Sequence, residues 1–215
     1  KAKQAQERDL LSTWIYNFDS VCWDQNVDDN IRAFWPDASD FSNYGAHVRY
    51  WPSQQVMLVL DNQGDHYAQY DPVSGDWEKL TLVNAPPAGL NLRGTRSTWD
   101  SARGRWVFRN DRHVFYLDPS TRRFESLPDV PTNLGDGNIT YLSSGPDGLI
   151  DRYFVVGNDA SETYIFDPNS NTWMSVDGGT ANFGSDIHKY IEFDPTTGLV
   201  GLLTGVTSGF HVFKY

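Results

Sequence analysis

Cysteine is nearly missing from this 215-residue chain: Cys22 stands alone, so no disulfide joins two of its own residues and no paired-cysteine zinc pattern exists. No run of about 18 apolar residues occurs, which excludes a membrane-spanning helix. Cationic side chains are scarce. The 17 Lys and Arg face 28 Asp and Glu, a net charge of −11, and that balance disfavours nonspecific nucleic-acid binding. There is no Gly-rich phosphate loop and no Gly-x-Ser-x-Gly nucleophile turn. Helical periodicity is confined to the start of the chain. Leu10, Leu11, Trp14, Ile15 and Phe18 recur at helical spacing and predict a short amphipathic helix within Lys1–Phe18, part of an N-terminal extension over residues 1–23.

Aromatic residues, by contrast, are plentiful at 14%, and they fall in a repeat. Glu162 to Trp173 reads as strand, tight turn, strand: β-branched and aromatic residues run into Asp167-Pro168, and Trp173 restarts a pleated surface. Proline presets φ in the turn, and the aspartate can accept hydrogen bonds from the amides that follow it. The same element recurs as His66 to Trp77 and as His113 to Phe124, with turns at Asp71, Asp118 and Asp167, spaced by 47 and 49 residues. Each unit also opens with its own hairpin: Tyr50 to Val56 aligns with Trp99 to Arg105 and with Phe193 to Leu199. Apolar second strands follow at Val56 to Leu60, Trp106 to Phe108, Tyr153 to Val156 and Leu199 to Leu203. In the third unit a longer turn, Ser143 to Asp151, joins the first two strands. His211 to Tyr215 matches the start of the strand at His113, so a fourth unit lacks its outer strand.

Two hairpins per period of this length make four strands per period, the size of a propeller blade. The expectation is an all-β propeller of four blades over residues 24–215, or five if residues 14–41 form a shortened first unit. Pairing of N- and C-terminal strands would close it, with Phe34 to Phe41 as donor, because an open edge invites aggregation. The pattern aromatic-Asp-Pro-x-[Ser/Thr]-x-x-[Trp/Phe] resembles the third and fourth strands of kelch and galactose-oxidase-like propeller repeats, over roughly residues 46 to 215. The double glycine that usually ends the second kelch strand is missing.

Three groups of residues could carry chemistry. Asp24, Asn26 and Asp28 place oxygen donors at alternate positions, as in a calcium loop. His66, His113, Glu162 and His211 share one repeat position, but on third strands they lie too far apart to converge on one ion. The second unit concentrates arginine: Arg93, Arg96, Arg103, Arg105, Arg109, Arg112, Arg122 and Arg123 stand beside only three aspartates. Arg105 and Arg109 interrupt the repeat where other units carry Val56, Leu60, Leu199 and Leu203. Guanidinium groups placed there need anionic partners or water.

These features predict a non-catalytic extracellular recognition or assembly module. Arg96, Arg105, Arg109 and Arg112 would form its contact surface for an acidic protein, an acidic glycan or, head to tail, a second copy. Beginning at Lys1 without a Met, the chain reads as a processed secreted protein or as a trimmed piece of a longer one. The alternative is a polysaccharide-active hydrolase or lyase with carboxylates or histidines at the channel mouth.

Overall fold

The computed structural model describes residues 13–17, 22–26, 47–61, 64, 66–87, 92, 95–135, 138–145, 148–157, 162–176, 190–204 and 209–214. Every regular element of more than one residue among them is a β-strand, and all pairing is antiparallel between strands consecutive in sequence. The chain divides into two compact units, Lys1–Thr81 and Leu82–Tyr215.

Unit 1 holds two sheets. Strands β1 (Thr13–Asn17) and β2 (Cys22–Asn26) form a two-stranded ribbon. The helix expected over Lys1–Phe18 is therefore corrected at Thr13–Asn17; residues 1–12 and 18 lie outside the described residues. Thr13, Trp14, Ile15 and Tyr16 are all β-branched or aromatic, and that preference for a pleated strand prevails over a spacing that only happens to fit a helix. The second sheet is a meander of β3 (His47–Trp51), β4 (Val56–Leu60), β5 (Tyr67–Tyr70) and β6 (Trp77–Leu80).

Unit 2 holds three sheets. The first comprises β7 (Arg96–Asp100), β8 (Arg105–Asn110), β9 (His113–Asp118) and β10 (Arg123–Ser126). The second comprises β11 (Asn138–Gly145), β12 (Gly148–Val156), β13 (Thr163–Asp167) and β14 (Thr172–Val176). The third comprises, among the described residues, β15 (Tyr190–Asp194), β16 (Leu199–Thr204) and β17 (Gly209–Lys214); Phe34 to Phe41, expected to close it, lie outside the described residues. The opening strands are neighbours, β11 lying beside both β7 and β15. Successive four-stranded meanders set first strand beside first strand form a propeller-like array.

Hairpin turns follow one design. The Oδ1 atoms of Asp71, Asp118 and Asp167 accept the amides of Val73, Ser120 and Asn169 at 2.7 to 2.8 Å. Asp100 and Asp194 do the same in first-to-second-strand turns, for Ala102 at 3.1 Å and Thr196 at 2.9 Å. Four residues after each of these aspartates the backbone is left-handed, at Gly75, Gly104, Arg122, Asn171 and Gly198.

The expected long turn in the third unit is instead a strand extension. β11 and β12 run eight and nine residues, pairing as far as Gly145 opposite Gly148, with a bulge between Leu142 and Ser144. Asp151 sits at the bulge with φ of 51°, in the place that Gly104 and Gly198 take in the sibling hairpins.

The middle sheet of unit 2 is buried on both faces. Val107 and Val114 of the first sheet pack with Tyr153, Val155 and Phe166 on one side. On the other, Phe154, Val156 and Ile165 pack with Ile191, Phe193, Val200 and Leu202 of the third sheet. That double burial explains the continuous apolar run Tyr153 to Val156, whose alternate residues face opposite neighbours.

Candidate functional site

Strand β8 turns a face toward the middle sheet that reads Arg105, Val107, Arg109: an apolar centre flanked by guanidinium groups. Arg105 donates from Nε to Asp100 at 3.0 Å and from Nη2 to the Tyr153 hydroxyl at 2.7 Å. Its guanidinium also lies 4.3 Å from the Tyr116 ring centroid, a cation–π contact. Tyr153 donates its hydroxyl proton to Asp100, which is fully buried. From the adjoining turn Arg103 makes a two-pronged pair with Asp151, at 2.7 and 2.8 Å. Tyr141 and Asn169 donate to the same carboxylate at 2.8 and 3.1 Å. The first two sheets of unit 2 are thus joined by a polar network of two arginines, two aspartates, two tyrosines and an asparagine.

Its electrostatics restrict its chemistry. The bidentate Arg103, helped by Tyr141 and Asn169, holds the Asp151 carboxyl well below the usual carboxylate range against the opposing effect of burial. Burial and the Asp100 charge push the Tyr153 hydroxyl far up, and burial with Asp151 does so for Tyr141. Both phenols keep their protons and Asp151 stays ionised near neutrality, so none of these three can shuttle protons there. The network fixes geometry.

The four arginines expected to form a contact surface do not converge. Arg105 is consumed as described. Arg109 is fully buried and donates to the carbonyls of Asn138 and Gly135 at 3.4 and 3.2 Å, so its guanidinium cannot meet a partner. Arg112 is half exposed and pairs with Asp129 at 3.1 Å. Arg96, directly across the ladder from Arg109, is half-buried with its guanidinium 5.8 Å from the Tyr190 ring centroid. Position Arg93 lies outside the described residues. Arg152, in the repeat position of Arg105, pairs with Asp167 at 3.0 Å.

Of the residues read as calcium ligands, Asp24 and Asn26 stand in β2, opposite Ile15 and Thr13, separated by roughly 6.6 Å along the strand. Asp28 lies outside the described residues. Among the described residues no group of three His, Cys, Asp or Glu could hold a metal.

A second candidate is the outward face of the third sheet. Tyr190, Leu203 and Phe210 lie side by side across its three strands, with Val212 beside Gly201 in the next row. They are 63%, 49%, 66% and 52% exposed. Sheet register also corrects the alignment of the last strand. Phe213 pairs with Val200 as Tyr70 pairs with Met57, Leu117 with Trp106 and Phe166 with Tyr153. Gly209, not His211, therefore takes the place of His66, His113 and Glu162. The sequence hid this because His-Val-Phe occurs at both places in different register.

No family model and no curated protein matches the chain. Among solved structures, a fungal alcohol oxidase of the AA5 family in complex with copper is 15% identical, with a TM-score of 0.48 over 72% of this chain and 36% of that one. The WD40 domain of Toxoplasma gondii coronin is 15% identical, TM-score 0.48, covering 79% and 42%. Kuenenia stuttgartiensis hydrazine synthase is 10% identical, TM-score 0.46, covering 78% and 45%. The chain spans less than half the length of each.

Proposed function

We propose that this chain is a non-catalytic recognition or assembly module, that its four repeated sheets are four blades, and that its contact surface is the outward face of the third sheet in unit 2. One observation carries the reading. Tyr190, Leu203, Phe210 and Val212 form a contiguous exposed apolar patch, while Arg103, Arg105, Arg109 and Arg112 engage groups of their own unit. Patches of this kind mark protein interaction sites, so the partner is a protein rather than an acidic glycan.

Of the carboxylates or histidines that the polysaccharide-active alternative needs, the starts of the described opening strands, His47, Arg96, Asn138 and Tyr190, carry one histidine and no carboxylate. Partner capture should be measured with wild type, Tyr190→Ser/Leu203→Ser and Arg112→Ala, followed by identification of the captured chain. Loss with the apolar pair alone is the expected result. Loss through Arg112→Ala alone would return the site to the arginine-rich sheet, and product release from a polysaccharide would replace the reading with the enzymatic one.

A further inference from the structure

Strand β10 ends the first sheet of unit 2, and its outer edge is occupied by the chain's own polar groups. The Leu127 amide donates to the Val114 carbonyl at 2.8 Å and the Arg122 amide to the Asp118 carbonyl at 2.7 Å, both toward β9. By alternation the main-chain groups of Phe124 and Ser126 point away from β9. The segment Leu82 to Asn84, where unit 2 begins, lies along that outer edge. Asn84 accepts the Phe124 amide at Oδ1, 2.8 Å away, and donates from Nδ2 to the Phe124 carbonyl at 2.9 Å. Beside it the Val83 amide donates to the Arg122 carbonyl at 2.9 Å. A side-chain carboxamide offers a donor and an acceptor side by side, so Asn84 fills the slot that one residue of a further strand would take. The next connection is also anchored to an outer strand: Trp173 of β14 donates its indole N–H to the Pro128 carbonyl at 2.9 Å.

We infer that Asn84 is an autoinhibitory guard, closing an edge through which β10 pairs antiparallel with β10 of a second copy once the segment Leu82 to Asn84 lifts away. An open strand edge is a template for such pairing, and the residues around Phe124 are self-complementary. With the two-fold axis at Phe124, each Phe124 exchanges both main-chain bonds with its counterpart, replacing the two that Asn84 makes. The Arg122 carbonyl takes the Ser126 amide of the other copy, replacing the bond from Val83. The same register sets Arg123 opposite Glu125 at two symmetric places, a favourable cross-strand pair. Arg122, Arg123, Glu125 and Ser126 are all exposed, and Glu125 keeps acceptor capacity beside the Tyr116 hydroxyl that it already accepts. The three bonds of the guard are thus the three that the second copy would make.

Wild type and Asn84→Ala are compared by sedimentation equilibrium between about 10 and 500 µM at pH 7. Wild type is expected to stay monomeric and the variant to dimerise with a Kd on the order of 100 µM, weak because a strand of only four residues pairs. In dilute Asn84→Ala the Phe124 amide should exchange its hydrogen at least about tenfold faster than in wild type. Two further changes are made in the Asn84→Ala background. Ser126→Pro removes an outward-facing amide at an edge position that tolerates proline, and Arg123→Glu sets carboxylates opposite each other; each should return the chain to monomer. Phe210→Ser in that background should leave the dimer intact, which separates this edge from the contact surface proposed above.

A wild type as dimeric as the variant, an Asn84→Ala chain that stays monomeric throughout the range, or unchanged exchange at Phe124 overturns the inference. So does a dimer that survives Ser126→Pro or is lost through Phe210→Ser. Should Asn84→Ala not fold, Asn84→Asp, which keeps the acceptor and loses the donor, is put to the same comparison under the same criteria.

Discussion

At Arg122 and Gln55 the backbone is left-handed, with φ of 57° and 58°, where sibling turns use Gly75 for the first position and Gly104 and Gly198 for the second. Left-handed backbone costs a residue with a Cβ roughly 1 kcal/mol, and Arg122 is exposed. Arg122→Gly is therefore expected to raise the thermal midpoint by about 2 to 4 °C, and Gly104→Ala to lower it by a similar amount. Asp151 contributes to the acid limb of stability beside the hairpin aspartates, whose carboxyls are also lowered by the amides and hydroxyls of their turns. The Asp151 carboxyl is held below the ordinary value by Arg103 in the folded chain and titrates near 4 when unfolded. The stability it confers is complete above about pH 4 and is lost as pH falls from there through the folded value. Asp151→Asn, which keeps the left-handed backbone accessible, should cost about 2 kcal/mol at pH 7 and give a shallower decline between about pH 4 and 2 in chemical denaturation. The hairpin aspartates were legible in the sequence because their partners lie two residues away. The network around Asp151 was not, because Arg103 lies 48 positions distant.

Between elements, the bridge from β8 to β12 decides how two blades hold together. Asp100 is fully buried and Arg105 nearly so, which makes each costly to leave alone. Arg105→Leu restores the apolar residue of two sibling units yet removes the closer of the two guanidinium partners of the buried Asp100 carboxylate, leaving Arg103 at 3.3 Å. It should cost about 3 kcal/mol, and Asp100→Asn about as much. The double variant is expected to lose at least 1 kcal/mol less than the two singles together, measured as a double-mutant cycle in urea; strict additivity would show that the pair is not coupled. Most strands could be read from sequence: Val56–Leu60 is β4 to the residue, because a buried strand between turn residues leaves a clear apolar run. Thr13–Asn17 could not, since five residues do not separate a helical from a strand period. The arginines of β8 were visible as breaks in the repeat, but nothing local showed that they reach across to Tyr153 and Asn138.

For the molecule as a whole, net charge separates two kinds of recognition. A surface built on arginines within a chain of net charge −11 would attract acidic partners by contacts that salt screens; raising ionic strength from about 0.1 M to 1 M shortens the screening length from about 10 Å to 3 Å. Most described guanidiniums of the arginine-rich sheet instead satisfy groups of their own unit, and the exposed face presents Tyr190, Leu203, Phe210 and Val212. Burial of apolar area and main-chain hydrogen bonds depends little on salt. The affinity of the partner for the full chain is therefore expected to change by less than about threefold between 50 mM and 500 mM NaCl. A fall of tenfold or more would mean that cations dominate the contact, and Arg96 and Arg112, the half-buried and half-exposed members of the set, would be the residues to replace next. The same charge works against self-association, since like copies repel most at low ionic strength. Sedimentation at pH 7 should accordingly show a monomer in 50 mM salt. Any dimer would be expected to appear toward the isoelectric point near 4.7 and to vanish in Phe210→Ser if the apolar face supplies its contact.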